Sequence, residues 1–219
     1  MSMNCGMVGV TPAQIEALRA TPQLANDLAW AADDQASTAS RKAMIALLAP
    51  DKRSEALSRF DAMERNPDFQ AGRDQIVKAR ERLAPLGSIE PALQLRKSWH
   101  VLHYAITGNA WPSGSAGDAL LTGDDLGDDM GYGPPRLHGP IATRAFADFI
   151  SPLEFHELQT RIRYREMLDL GIYSMPMGGG SEEQFETELR TEVASYFPAL
   201  REYVTLMSSK GNGLLVWLT

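Results

Sequence analysis

The segment NCGMVGV at positions 4–10 has the composition of a buried β-strand, because it is short and combines glycine with apolar and β-branched residues. Thr11 and Pro12 follow it directly, and a threonine cap with proline at the first helical position is typical of a helix start. Near the other end, the continuous apolar run LLVWL at positions 214–218 indicates a strand that is buried on both faces. We therefore predict a small sheet that includes both ends of the chain, which should lie close together in it.

The stretch from position 33 to 87 reads as helix throughout. Three narrow apolar stripes are separated by Pro50 and Pro67, and their opposite faces are highly charged. We interpret 33–87 as a helical insertion, two or three helices packed on the main domain. A partner-binding attachment is the alternative interpretation. The stripes are Met44, Ile45 and Leu48, then Leu57, Phe60 and Met63, and then Ile76, Ala79 and Leu83.

Ser88 and Gly108 enclose the longest predicted helix, roughly 89–107. Its inward face consists of Leu95, Trp99, Leu102 and Ile106, so we expect it to be the central helix. A short strand at 119–121 and three later helices follow. We predict those helices at 141–150, after a capping box that starts at Ser151, and after a second capping box formed by Ser181 and Gln184. Pro198 should break or kink the last one.

These elements predict a single compact domain over 1–219, an α/β fold dominated by helices, with an α+β arrangement as the other option. Helices should pack around a small sheet, with 33–87 as the insertion. A chain of 219 residues is long enough for a real core, since about 70% of the unfolded surface would be buried at this size.

Composition excludes several classes of partner. The net charge is −7 and no basic run occurs, so a nucleic-acid backbone and an anionic membrane surface are both unfavourable partners. The one cysteine, Cys5, cannot form an intrachain disulfide, and we expect it to be a small buried residue of the first strand. We find no signal-peptide pattern and no apolar window of membrane-spanning length. We therefore expect a cytoplasmic protein.

The segment GDDLGDDM at positions 123–130, followed by GYGPPR, places four carboxylates among glycines and prolines, so we expect an exposed loop. A calcium hand needs glycine at its sixth position and glutamate at its twelfth, and neither register of this segment supplies them. A solvated loop, a looser divalent-cation site and a binding surface for a basic partner all remain open. The binding interpretation assigns Asp124, Asp125, Asp128, Asp129, Tyr132 and Arg136, together with Trp99 of the neighbouring helix.

His100, His103 and Tyr104 share one side of the helix predicted at 89–107. Zinc would need a third protein ligand, and the sequence has neither an HExxH motif nor a cysteine cluster. The remaining interpretations are a buried histidine that hydrogen-bonds to the following loop and a general acid or base. The glycines at 178–180 lack the ending of a phosphate-binding loop.

Several of these motifs together resemble the YfbM-like family of bacterial proteins. They are GMVG at 6–9 before Thr11-Pro12, the WHVLH helix that ends at Gly108, LG at 126–127 running into GYGP and Arg136, Ile172-Tyr173, and the terminal apolar strand. The resemblance implies one compact domain of helices and a sheet. It implies no catalytic residues, because the family is a domain of unknown function, and 33–87 looks longer than the family's usual chain.

We therefore predict a non-catalytic cytoplasmic module, of the inhibitor or immunity type, that binds a protein partner through the acidic loop. We expect no cofactor, apart from the divalent cation left open above. The alternative is a hydrolytic enzyme with His100 or His103 as the acid–base group and a loop aspartate beside it, which requires a pocket where the Trp99 helix meets the loop. A third alternative is a homo-oligomer that uses the inserted helices as its interface.

Overall fold

A computed structural model describes residues 3–219, apart from the side chain of Asp68. The first two residues of the predicted 1–219 domain lie outside this part of the chain. Five strands form one antiparallel sheet within it: β1 (Cys5–Val10), β2 (Leu93–Arg96), β3 (Asp124–Asp125), β4 (Arg136–His138) and β5 (Gly213–Leu218). Their order across the sheet is β2-β1-β5-β4-β3.

The central pair of strands confirms the prediction made from the two ends of the chain. β1 and β5 pair over their full lengths, with Cys5 opposite Leu218 and Val10 opposite Gly213. Every residue of both strands is buried. Main-chain hydrogen bonds between Asn4 and Thr219, at 2.6 and 2.9 Å, extend the pairing. Both ends of the described chain therefore meet in the middle of the sheet.

Helices cover both faces of this sheet. Within residues 3–219 they are α1 (Pro12–Ala20), α2 (Leu24–Leu47), α3 (Pro50–Glu64), α4 (Pro67–Leu83), α5 (Trp99–Thr107), α6 (Pro140–Ile150), α7 (Phe155–Arg161), α8 (Tyr164–Asp169) and α9 (Glu182–Ser209). The predicted helix-dominated fold with a small sheet is thus confirmed. None of the described helices combines the length and the apolar composition that a bilayer crossing requires.

Alternation along β1 and β5 divides the interior into two cores. Met7 and Val216 face one core, which we call the α9 core because α5 to α9 pack on that side. Val8 and Trp217 face the other, which we call the α2 core because α1, α2 and the end of α4 pack there. The sheet lies between the two cores.

Local capping signals predicted two helix starts correctly. The Thr11 hydroxyl accepts a hydrogen bond from Gln14 N at 3.2 Å, and the Gln14 side chain accepts one from Thr11 N at 2.8 Å. Ser181 and Gln184 form the same reciprocal pair at the start of α9. That helix continues through Pro198 to Ser209, so Pro198 does not break it, and a kink at this residue stays a prediction.

The predicted helix 89–107 is wrong in its first half. Residues 93–96 form β2, which pairs with β1, and α5 begins only at Trp99. The apolar spacing of Leu95 and Trp99 fitted a helix, but the open edge of β1 needs a hydrogen-bonding partner, and β2 supplies it. The second half is confirmed, because every residue from Trp99 to Ile106 is buried and Gly108 ends the helix at φ 74°.

Two smaller predictions also fail. Residues 119–121 do not form a strand, since Ala116–Leu120 is a short 3-10 helix. Ser151 does not cap the next helix, because the reciprocal cap is formed by Glu154 with Glu157 and α7 starts at Phe155.

The helices around 33–87 form an extension that is only partly packed. α2 begins at Leu24, before the predicted boundary, and only the first part of this helix is buried. α3 buries none of its fifteen described residues. α4 returns to the domain, where Leu83 enters the α2 core and Arg82 forms two hydrogen bonds with Asp27. That 33–87 is an insertion, or an interface between copies, stays a prediction.

Candidate functional site

The acidic segment forms a hairpin at the edge of the sheet. We use the name acidic hairpin for residues 123–136, which include β3, the turn and the start of β4. Asp124 lies opposite Leu137 in the β3–β4 pair, and Leu126 N donates a hydrogen bond to Pro135 O at 2.8 Å. The predicted loop is therefore an ordered hairpin whose first two aspartates belong to a strand.

A buried asparagine holds the turn of the acidic hairpin. Asn26 of α2 is 4% exposed; its Nδ2 donates to Asp128 O at 2.8 Å, and its Oδ1 accepts from Asp128 N at 2.7 Å. Gly127 makes this approach feasible, because it has φ 86° and a Cβ there would lie 2.2 Å from Asn26 Oδ1. The main chain is thus fixed to α2, and the Asp128 carboxylate is left in solvent.

The four carboxylates of the acidic hairpin have different surroundings. Asp124 lies 3.6 Å from Arg19 in an ion pair that is largely exposed and hence weak. Asp129 Oδ1 accepts from the main-chain nitrogens of Gly131, at 2.6 Å, and Gly133, at 3.0 Å, which orders the turn. The side chains of Asp125 and Asp128 have no ion pair or hydrogen bond with any described residue and are exposed.

Tyr132 and Arg136 lie at the inner side of the acidic hairpin. Tyr132 is half-buried against the α9 core. Arg136 is half-buried as well, and its Nη1 is buried without a hydrogen-bond partner among the described residues. Within that part of the chain Arg136 pairs with no aspartate of the hairpin, so Arg19 is the cation that partly offsets the repulsion there.

The predicted site residues of α5 lie in the α9 core. Trp99 is 2% exposed, and its ring stacks on His100 at 4.7 Å and on Tyr173 at 5.9 Å between centroids. His100 Nε2 lies 2.7 Å from Ala110 O, while His100 Nδ1 accepts from Tyr173 N at 2.9 Å. His100 is therefore the neutral Nε2–H tautomer, joined to the loop that follows the helix, and burial lowers its pKa.

His103 faces a carboxylate that the sequence interpretation did not include. His103 and Asp118 are both buried, with 3.8 Å between Nε2 and Oδ1. Asp118 Oδ2 accepts from the main-chain nitrogens of Ser113 and Ser115 at 2.9 and 2.8 Å. Burial lowers the pKa of His103 to about 4, and the opposing effect of Asp118 is smaller. His103 is consequently neutral at neutral pH.

Acidification should destabilise the protein through His103. Because its folded pKa is about 4 and the ordinary value is 6.5, the unfolded chain binds a proton between these values that the folded chain does not. The stability that neutral His103 provides is full above pH 6.5 and falls towards pH 4, by roughly 1.4 kcal/mol per pH unit. In urea unfolding at stepped pH, His103→Gln should decline less steeply than wild type. The control His156→Gln, which changes an exposed histidine, should lose stability with falling pH as steeply as wild type. Equal slopes of stability against pH for all three proteins would contradict the assignment to His103.

Among the described residues, no hydrogen bond or ion pair joins a carboxylate of the acidic hairpin to His100 or His103, and that the two parts share a pocket stays a prediction. Leu126 of the hairpin packs in the α2 core, whereas Trp99, His100 and His103 lie in the α9 core. Tyr132 of the hairpin, by contrast, packs against the α9 core. The carboxylate facing His103 is Asp118, and the hairpin's own polar contacts run to Asn26 and Arg19.

Sequence reasoning missed two residues that position these parts, Asn26 and Asp118. Asn26 lies beside Ala25 and Leu28 on the inward side of α2, and an amide at such a position indicates a specific hydrogen bond. Asp118 stands three residues after Ser115, a spacing that predicts a reciprocal cap. Both patterns are visible in the sequence, but neither identifies the distant partner, which is Asp128 for Asn26 and His103 for Asp118.

Metal and thiol chemistry find little support in the described residues. Across 3–219, no three histidine, cysteine or acidic side chains are grouped as metal ligands would be. Burial raises the pKa of the Cys5 thiol to about 12, so the thiolate is not available at neutral pH. The expectation that the protein takes no cofactor stays a prediction.

The fold is that of a small antiparallel sheet between two helical layers, with an acidic hairpin at one edge. The chain belongs to the DUF1877 family, a domain of unknown function, whose sequence profile matches residues 1–217. It is similar in structure to YfbM from Escherichia coli, a protein of unknown function, with a TM-score of 0.53 and 15% sequence identity over 99% of each chain. At that identity the likeness concerns the fold alone. A comparison with curated proteins gave no match. The YfbM-like resemblance is confirmed.

Proposed function

We propose that this protein is a non-catalytic module of the bacterial cytoplasm that binds a basic surface of another protein through the acidic hairpin. One observation carries the proposal: the side chains of Asp125 and Asp128 are exposed on an ordered hairpin and have no partner among the described residues. Lysine or arginine side chains of a partner would relieve the repulsion among the four carboxylates. An inhibitor or an immunity protein would act through such a surface.

The rigidity of the acidic hairpin supports this proposal. Asn26 fixes the main chain of Asp128, and Asp129 closes the turn onto Gly131 and Gly133. Binding to a surface that is already ordered avoids the entropy loss of ordering a loop. The geometry of the free carboxylates is thereby set before any partner arrives.

Charge determines how this binding should behave. The net charge of −7 and the concentration of carboxylates on one edge would accelerate encounter with a basic protein and select its orientation. These carboxylates are exposed, so salt screens them. Binding should therefore weaken as the salt concentration rises.

The observations favour binding over the hydrolytic alternative. His100 uses both ring nitrogens in hydrogen bonds, and His103 is fully buried. Neither contacts a carboxylate of the acidic hairpin in the described structure, so no acid–base pair of the predicted kind is formed. The free carboxylates, by contrast, are fully accessible.

Capture from native lysate tests the proposal. Immobilised wild-type protein should retain a basic protein at low salt, and Asp125→Asn/Asp128→Asn should retain much less of it, because two unpaired charges are removed. The matched control is Asp74→Asn/Asp148→Asn, which removes the same charge from exposed positions on α4 and α6. It should behave as wild type.

Two results would contradict the proposal. The first is capture that does not depend on Asp125 and Asp128. The second is an equal loss in the control, which would mean that net charge alone governs retention. Mass spectrometry of the retained fraction, repeated at two salt concentrations, separates these outcomes from a specific complex.

A further inference from the structure

A polar groove runs along the β2 edge of the sheet, remote from the acidic hairpin at the β3 edge. Two adjoining cavities of about 660 and 450 Å³ share Asn4, Arg96 and Tyr196 in their linings. We call them together the edge groove. The larger cavity continues along α2, past Asp33 and Ser37, and the smaller one continues past Lys97. Each of the two cavities has a volume in the range of small-molecule sites, roughly 300–1,000 Å³.

The backbone of the edge groove contains an unusual conformation at Arg96. This residue has φ 50°, in the left-handed region that favours glycine, at the end of β2. The pairing with β1 shifts here, since Cys5 lies opposite Arg96 and Gly6 opposite Gln94, so Leu95 is an extra residue. A non-glycine residue in this region is strained, and such strain is concentrated at functional positions. The bulge leaves Arg96 exposed beside the groove.

The cations of the edge groove have no partners. The side chains of Arg96 and Lys97 are exposed and form no ion pair or hydrogen bond with the described residues. Each of the two nearby carboxylates accepts a hydrogen bond from a neutral group, and neither forms an ion pair with Arg96 or Lys97 in the described structure. Glu192 accepts a hydrogen bond from Ser98 Oγ, and Asp33 accepts one from the Gln94 amide at 2.8 Å. The two cations are therefore available for an anion, which an arginine guanidinium can bind by two parallel hydrogen bonds.

The α2 end of the edge groove has a different chemistry. Asp33 keeps acceptor capacity beyond its one hydrogen bond, and Ser37 and Ser40, which each carry a hydroxyl, line the same cavity. Such groups recognise hydroxyls. The groove thus has an anion-binding end and a hydroxyl-binding end.

We propose that the edge groove binds a small hydroxylated anion of the sugar phosphate or sugar acid class. Its anionic group lies against Arg96 and Lys97, and its hydroxyls hydrogen-bond to Asp33 and the α2 serines. The need for a cation at position 96 explains why the chain has arginine there, although glycine would adopt the same backbone conformation without strain.

Calorimetric titration of the full-length protein with glucose 6-phosphate, inorganic phosphate and glucose tests the inference. Glucose 6-phosphate should bind most tightly, inorganic phosphate more weakly and glucose weakest. Arg96→Gly should weaken the binding of both phosphates by about tenfold. Its melting temperature should equal or exceed that of wild type, because glycine relieves the strained backbone. Weaker binding together with an equal or higher melting temperature would show that the variant has lost binding and not folding.

Two further variants complete the design. Asp33→Asn should weaken the binding of glucose 6-phosphate but leave the binding of inorganic phosphate unchanged, because only the sugar reaches α2. Arg144→Ala, an exposed arginine of α6 with no partner in the described structure, should bind as wild type. The inference is overturned if wild type binds neither glucose 6-phosphate nor inorganic phosphate, or if Arg96→Gly binds both with unchanged affinity. It is also overturned if Arg144→Ala weakens binding as much as Arg96→Gly does, or if Asp33→Asn weakens the binding of the two phosphates equally.

Discussion

Replacing Gly6 by alanine should lower the free energy of unfolding by about 3 kcal/mol. A methyl group on Gly6 would lie 2.4 Å from Cζ2 and 2.6 Å from Cε2 of Trp217, the cross-strand neighbour on β5. The indole is rigid and 1% exposed, so it cannot move aside without disturbing the α2 core. Urea unfolding monitored by circular dichroism measures the loss.

Gly9→Ala is the matched control on the same strand. Its methyl group would meet Met207 Sδ, the flexible end of a side chain that can take another rotamer, so the loss should be about 1 kcal/mol. The double variant Gly6→Ala/Trp217→Leu should lose less stability than the sum of its single changes, because leucine makes room for the methyl group. Strict additivity would show that Gly6 is needed for some other reason.

Asn26→Ala should destabilise the protein by about 2 kcal/mol and release the turn of the acidic hairpin. Both hydrogen bonds between Asn26 and the main chain of Asp128 are lost, and alanine leaves a gap beside Gly127. Hydrogen exchange should show faster exchange of the Asp128 amide in the variant. Capture of a basic partner should weaken as well, although no charge has changed.

Gln14→Ala provides the control for that prediction. Gln14 is also a buried amide on the α2 side, 5% exposed, and its Nε2 donates to Leu86 O and Ser88 O at 3.2 and 3.1 Å. Its loss should destabilise the protein by a similar amount but leave the exchange of Asp128 unchanged. Faster exchange of Asp128 in both variants would mean that the acidic hairpin follows global stability and is not held by Asn26.

The parts of the fold that were predictable from the sequence are those that local chemistry determines. Thr11 and Ser181 cap their helices through residues three positions away, and β5 is a continuous apolar run whose burial follows from its composition. The pairing of the first and last strands was predictable because the sequence indicates few other strands with which either could pair. Gly108 ended α5 as expected.

The parts that failed depend on contacts between distant segments. β2 is a strand because the edge of β1 is open, and the periodicity around Leu95 does not contain that information. The acidic hairpin could be located, but its attachment to Asn26 joins residues about a hundred positions apart. The partner of His103 is Asp118, whose carboxylate is positioned by hydrogen bonds from the main chain of Ser113 and Ser115, and no local pattern connects it with α5.

The pairing of β1 with β5 also sets when this protein can fold during its synthesis. Val10 leaves the ribosome roughly 200 residues before its partner Gly213, an interval of about 10–40 s at ~5–20 residues per second. During that time the nascent first strand lacks its central neighbour, and an apolar strand with unpaired main-chain groups is prone to aggregate. The sheet can close only after β5 has been synthesised, so α1 and α2 or a chaperone would have to shield the first strand until then.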